Sequence, residues 1–255
     1  MSTGHRFRVC SSQDELARTA ARLFVGCAQD AVKLRGRFFV SLAGGSTPKA
    51  LYRLLAEDGA VREAVPWPDV HVFWGDERHV PPTHDDSNFR MAYEALVGRV
   101  RIPPRQIHRI EAEEPDAKHV ALVYEQTLRT AFDLAEREWP SFDLVLLGMG
   151  EDGHTASLFP GSTAVHEQTR MVVAPFVEKF GLYRITLTPP VFMHARTTAV
   201  LVAGAGKART LRDVLEGPLV LDQYPIQCLR TSAGGVTWLV DAEAASALSP
   251  GAYRL

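Results

Sequence analysis

The chain has 255 residues, 46% of them hydrophobic and 23% charged, which is the make-up of an ordinary globular protein with material for a sizeable core. With 28 Lys and Arg against 30 Asp and Glu, the formal charge of -2 gives no general attraction to nucleic acid or to an anionic membrane, so any anion recognition has to be local. The opening residues Met1 to Val9 lack the apolar run of a secretory signal, and no stretch approaches the ~18 consecutive apolar residues of a membrane span, so a cytoplasmic location is expected. Cys10, Cys27 and Cys228 have no metal-type spacing and are expected to be buried reduced thiols.

In chain order, a short strand at Arg6 to Val9 precedes a helix that Ser11 or Ser12 can cap. Asp14 and Glu15 occupy its first turn, and Gly36 ends it. A strand from Arg37 to Leu42, a helix from about Pro48 to Ala56 and a strand from Val70 to Trp74 follow. Next come a helix starting after Ser87 and a longer one from roughly Asp116 to Glu136. Strands are expected at 142–148, 169–174, 184–188, 197–203 and near 236–240, interleaved with helical stretches that include one from about Gly206 to Leu215. This alternation predicts an α/β fold: a Rossmann-like, open, mostly parallel sheet with helices on both faces. No repeat, linker or composition shift divides the chain, so residues 1–255 read as a single domain.

Ligands of open α/β sheets bind beyond the carboxyl ends of the strands, and four loops there carry chemistry. Gly44-Gly45-Ser46-Thr47-Pro48 joins a strand to a helix. Its glycines let the backbone approach a phosphate, Pro48 suits the first helical turn, and Ser46 or Thr47 suits the cap. Asp76-Glu77-Arg78 follows the strand Val70 to Trp74. By itself it reads as a solvated charged loop, whereas beside the other loops Arg78 could grip a phosphate and Asp76 could orient a hydroxyl. Gly148 to Pro160 places His154 just past the buried run 142–147, where an imidazole can take a proton from water and return it to a leaving oxygen. Asp152 lies close enough to bias it, and amides around Gly150 and Gly153 could stabilise an oxyanion. Arg184 and Lys207 could complete a phosphate clamp. Gly204-Ala205-Gly206-Lys207 is not a complete nucleotide-phosphate loop and no dinucleotide fingerprint is present, so neither ATP nor a nicotinamide cofactor is inferred. His79, His84, Asp85 and Asp86 match no standard zinc arrangement and are read as a polar loop leading to the Ser87 cap, with no metal.

Taken in order, SLAGGSTP, FWGDERHVP, LLGMGEDGHTASLFPGS, RITLTPPV and GAGKA resemble the 6-phosphogluconolactonases of the glucosamine-6-phosphate isomerase/6-phosphogluconolactonase family over nearly the whole chain. The resemblance implies metal-independent, cofactor-free hydrolysis of 6-phospho-D-glucono-1,5-lactone to 6-phospho-D-gluconate in the oxidative pentose phosphate pathway. It implies His154 as the base on water and Asp152 and Asp76 as its polar support. Gly44, Gly45, Ser46, Thr47, Arg78, Arg184 and Lys207 would hold the phosphate. The expected partner is this small sugar phosphate lactone; nucleic acid and membrane are not expected, and no protein partner is indicated. Glucosamine-6-phosphate deaminase/isomerase is the rival reading, but its histidine motif continues into Asn-Glu-Pro where this chain has Leu158-Phe159-Pro160. A sugar-phosphate-binding regulatory domain without catalysis is the other alternative, although little sequence precedes the first α/β elements to form a DNA-binding module. A covalent serine route is less attractive, because Ser157 lacks a nucleophile-elbow context.

Overall fold

The computed structural model describes residues 6–232 and 234–250. In order, it contains β1 (Arg6–Cys10), α1 (Gln13–Arg35), β2 (Phe38–Leu42), α2 (Ser46–Glu57), α3 (Gly59–Ala64), β3 (Val70–Trp74), β4 (Asp76–Arg78) and α4 (Asn88–Ala95). There follow β5 (Ile107–His108), α5 (Ala117–Phe132), β6 (Leu144–Gly148), β7 (Val172–Val173), β8 (Phe176–Val177) and β9 (Leu182–Leu187). The series ends with α6 (Pro189–Met193), β10 (Thr197–Val202), α7 (Ala208–Glu216) and β11 (Gly235–Asp241).

Seven strands form one sheet in the order β1-β11-β10-β6-β2-β3-β5, with every pairing parallel. All of β2 and the first four residues of β6 are buried. Because successive side chains point to opposite faces, burial without alternation means that both faces of the sheet's centre are covered. From β2 the chain builds outward through β3 to β5, then returns through β6 to the other side of β2 and on to β10 and β11. The strand order therefore reverses between β2 and β6, where the loops leaving two neighbouring strands diverge and open a crevice.

The helix signals act as their chemistry requires. Ser12 accepts from the Glu15 amide, Ser87 from the Arg90 amide and Asp116 from the Lys118 amide, while Gly36 closes α1 at φ 72. Two expectations need correction. The strands expected at 169–174 and 184–188 do not join the parallel sheet. They appear as β7 and β9 of a small antiparallel sheet with β4, with β8 paired to β9. The helix expected to run to Glu136 ends at Phe132, because Asp133 turns left-handed at φ 53 and satisfies the last carbonyls of α5. Cys10 and Cys228 are buried and Cys27 is half-buried, all as free thiols, and burial pushes the Cys27 thiol up to about 11.

Two buried tyrosines fix the strand ends from which the site loops leave. The Tyr52 hydroxyl, from α2, accepts from the Ala43 amide at 2.9 Å and donates to the Ala43 carbonyl at 2.8 Å. Tyr124, from α5, does the same for Trp74, at 2.9 and 3.0 Å. Each hydroxyl replaces the ladder partner that the backbone loses where a strand ends. Burial raises the pKa of both phenols, so they remain neutral and able to donate.

Among the described residues no helix is long and apolar enough to cross a membrane.

Candidate active site

The crevice at the strand reversal is a cavity of about 250 Å³. Its wall includes Gly44, Gly45, Ser46, Thr47, Asp76, Arg78, His154 and Lys207, so eight of the residues expected from the sequence meet there. Asp152 and Arg184 stand outside the lining, one behind His154 and the other beside Arg78.

The loop after β2 differs from expectation at its cap. α2 begins at Ser46, with Gly45 as N-cap at φ 102, and no side chain caps it. Ser46 and Thr47 therefore sit in the first helical turn, and the amino end of the helix, with its partial positive charge, faces the crevice uncapped by any hydroxyl. Only glycine fits at position 44, since a Cβ there would stand 2.0 Å from Asn88 Oδ1.

The Asp76–Arg78 segment is a strand, not a solvated loop. Asp76 and Glu77 are 8% and 2% exposed. Glu77 accepts from the amides of Arg78, Asn88 and Phe89 at 2.8, 2.7 and 2.7 Å and from the Ser87 hydroxyl at 3.1 Å, which ties β4 to the amino end of α4. Burial raises its pKa while those backbone donors pull the other way. Asp76 accepts from Ser157 Oγ at 2.7 Å and from Asn88 Nδ2 at 3.3 Å, so the Ser157 hydroxyl is buried and engaged.

In the loop after β6, Asp152 Oδ1 lies 2.5 Å from His154 Nδ1. The Asp152 carboxyl is held down at about 2, chiefly by its hydrogen bond to His154, so it is ionised and can only accept. The proton of this contact accordingly belongs to Nδ1, which leaves Nε2 as the unprotonated nitrogen of the neutral ring. Thr155 Oγ1 donates to the Gly148 carbonyl at 2.8 Å, and the Ile226 amide donates to the Gly153 carbonyl at 3.2 Å, bracing both sides of the loop. Of the amides around Gly150 and Gly153 expected to face an oxyanion, those of the two glycines themselves are committed elsewhere. The Gly150 amide donates to the His154 carbonyl at 2.8 Å and the Gly153 amide to the Gly150 carbonyl at 3.1 Å, so both are spent in closing the turn.

Arg78 and Arg184 are directly paired across the antiparallel β4–β9 ladder. Arg184 is 8% exposed, and its Nε and Nη1 make no hydrogen bond among the described residues. Burial and then the neighbouring Arg78 lower its pKa. Two adjacent guanidinium groups, one of them buried and unpaired, make a strong local demand for an anion.

Sequence reasoning passed over Asn88 and Phe180. Asn88 lines the crevice and donates to the Asp76 carbonyl at 2.9 Å. Its position directly after the Ser87 cap was the one available signal. The Phe180 ring covers the Arg184 guanidinium, with 4.9 Å between Cζ and the ring centroid, and nothing in local sequence marks that contact. Phe159, noted as the departure from the deaminase motif, packs against His154 with ring centroids 4.4 Å apart.

A family model described as glucosamine-6-phosphate isomerases/6-phosphogluconolactonase matches residues 11–238. The chain is 40% identical over 241 residues to a 6-phosphogluconolactonase of Nostoc sp., a match that covers 94% of this chain and 97% of the relative. It is 41% identical over 220 residues to a 6-phosphogluconolactonase of Synechocystis sp., covering 86% and 88%. The solved structure of 6-phosphogluconolactonase from Trypanosoma cruzi shares the fold with a TM-score of 0.85 at 32% identity, covering 98% of this chain and 99% of that one. The matched segment contains every loop that lines the crevice, and the chain belongs to the glucosamine-6-phosphate isomerase/6-phosphogluconolactonase family.

Proposed function

We propose that this chain hydrolyses 6-phospho-D-glucono-1,5-lactone to 6-phospho-D-gluconate, with His154 as the general base. The reading is carried by one juxtaposition: an imidazole whose Nδ1 is committed to an ionised Asp152 lines the same crevice as an uncapped helix end, Arg78 and Lys207. The first feature activates water, and the second recognises a phosphate.

In this mechanism Nε2 of His154 takes a proton from water as the oxygen attacks the lactone carbonyl carbon. The carbonyl electron pair moves onto its oxygen, giving a tetrahedral intermediate. When that pair returns, the bond to the ring oxygen breaks, and the imidazolium gives its proton to that oxygen. Asp152 fixes the tautomer and the orientation of the ring. Asp76, braced by Ser157 and Asn88, supports the polar wall of the site. The amino end of α2 at Gly44–Thr47, together with Arg78, Arg184 and Lys207, holds the phosphate and thereby places the lactone against His154.

Phe159 favours lactone hydrolysis over amino-sugar deamination, because the residue packed on His154 is a ring that carries no proton. The test is the initial rate of acid release from freshly generated lactone, set against enzyme-free opening. Accelerated release is expected, with kcat reduced about 10²- to 10⁴-fold in folded His154→Ala. Absence of acceleration, or ammonia release from glucosamine 6-phosphate, would remove the lactonase reading. Undiminished turnover in His154→Ala would remove the base.

A further inference from the structure

Arg184 is the unusual group of this fold. A buried guanidinium whose Nε and Nη1 lack partners is unfavourable as it stands, and those donors are satisfied only if something that covers them moves aside. Asp76 and Thr186 beside it belong to paired strands. Phe180, by contrast, belongs to the turn Glu178–Phe180 that joins β8 to β9, and it is 45% exposed. Phe176, Leu182 and Tyr183 around this hairpin are also exposed, so little buried apolar surface holds its tip in place.

Contacts from two residues keep the tip over the arginine. The Phe180 ring lies against the Arg184 guanidinium at 4.9 Å and meets Phe159 edge-on at 5.8 Å. The preceding residue, Lys179, places its ammonium 3.9 Å from Asp152 Oδ2 and 5.5 Å from the Phe180 ring centroid. One turn thus touches both halves of the site. Phe180 faces the phosphate clamp, and Lys179 faces the carboxylate that orients the base.

The geometry points to Phe180 as a displaceable cover on Arg184, held by the Lys179–Asp152 contact and moved aside by an anionic group of the substrate. The inference rests on the clamp described under Proposed function and adds a displacement step to it. A ligand without an anion cannot replace the ring on the guanidinium, so it meets the crevice with Arg184 still closed. A phosphate offers charge-assisted hydrogen bonds to both unpaired donors, which are stronger than the cation–π contact it displaces.

The experiment uses inorganic phosphate as a competitive inhibitor of lactone hydrolysis, with its Ki measured for the wild type, Phe180→Ala, Phe180→Leu, Lys179→Met and Arg184→Met. Removing the cover removes its displacement cost. Ki is therefore expected to fall about threefold to tenfold in Phe180→Ala and Phe180→Leu, and less in Lys179→Met, with KM for the phosphorylated lactone falling in parallel. The ratio of kcat/KM on the phosphorylated lactone to that on unphosphorylated D-glucono-1,5-lactone should rise in the two Phe180 variants. Merely loosening the fold would not tighten phosphate binding. An unchanged or higher Ki in both folded Phe180 variants overturns the cover, and an unchanged Ki in Lys179→Met overturns the tether. If Arg184→Met leaves Ki unchanged, the clamp itself falls and the cover with it. If Arg184→Met raises Ki while the Phe180 variants leave it alone, only the cover falls.

Discussion

A methyl group at Gly150 would collide with the imidazole of His154: a Cβ built there stands 2.0 Å from Nδ1 and 2.5 Å from Asp152 Oδ1. Backbone and base are in such close approach that the Asp152–His154 contact exists only because position 150 has no side chain. Gly150→Ala is therefore expected to lower kcat by about 10²-fold or more while the protein still melts cooperatively, since a displacement of about 1 Å suffices for such a loss. Near-normal turnover in this variant, measured by acid release, would separate the Asp152–His154 contact from catalysis.

Asp152→Asn keeps the size of the partner and removes its charge. The wild-type carboxyl, held at about 2 against an ordinary 3.8, stays ionised throughout any assay above about pH 4, so an acid limb in that range is not its own titration. Without the charged acceptor, kcat is expected to fall about 10²- to 10⁴-fold as the amide permits the wrong tautomer. Near-normal kcat in the folded variant would exclude Asp152 as the partner that orients the base.

Tyr52→Phe removes both hydrogen bonds to Ala43 and leaves a buried amide and carbonyl unpaired. A stability loss of about 1–3 kcal/mol is expected in denaturant unfolding. The loop Gly44–Thr47 leaves directly from Ala43, so KM should rise as well, and more than kcat falls. A destabilised variant with unchanged KM would show that the latch serves the fold alone.

Acid stability should report the half-buried pair His71 and His108. His71 Nδ1 lies 3.2 Å from His108 Nε2, and the His108 ring stacks on Phe73 at 4.3 Å. Burial, then the His71 charge, lowers the His108 pKa from 6.5 to about 4, and burial also lowers that of His71. Between about pH 4 and 6.5 the unfolded chain binds more protons than the folded one. The stability contributed by neutral His108 is therefore complete above 6.5 and is lost as pH falls toward 4. After discounting for partial solvent access, the loss is about 1–2 kcal/mol. Urea unfolding at pH 7 and pH 5 should show a smaller difference in His108→Phe than in the wild type, and an equal difference would assign the effect elsewhere.

The frame of the site was legible because buried strands and capped helices leave local marks. Val70 to Trp74 is apolar and bounded by turns, and Ser12, Ser87 and Asp116 stand where the first helical amides need an acceptor. What escaped depends on partners distant in sequence. Asp76-Glu77-Arg78 has the composition of a loop and becomes a strand because β9 pairs with it, leaving Glu77 to cap α4 from eleven residues away. Ser46 was a reasonable cap by residue type, yet Gly45 reaches φ 102 and the helix starts one residue earlier. The Gly150 and Gly153 amides looked free for an oxyanion because sequence does not show that the turn closes on itself. Tyr52 and Tyr124 are indistinguishable from core aromatics until their hydroxyls are seen on the strand ends.

Among the described residues β1 pairs only with β11, residue Arg6 facing Thr237, although well over two hundred residues separate them along the chain. β1 can therefore pair only once β11 is in place. The crevice strands β2, β3, β6 and β10 can assemble beforehand, but Gly204, which begins the turn carrying Lys207, is anchored by Asp241 at the end of β11. Loop closure over such a distance is slow, and the nascent chain spends that interval with an open sheet edge at β10. The lysine-bearing corner thus depends on the far end of β11: without the Asp241 carboxylate the Gly204 amide loses its acceptor.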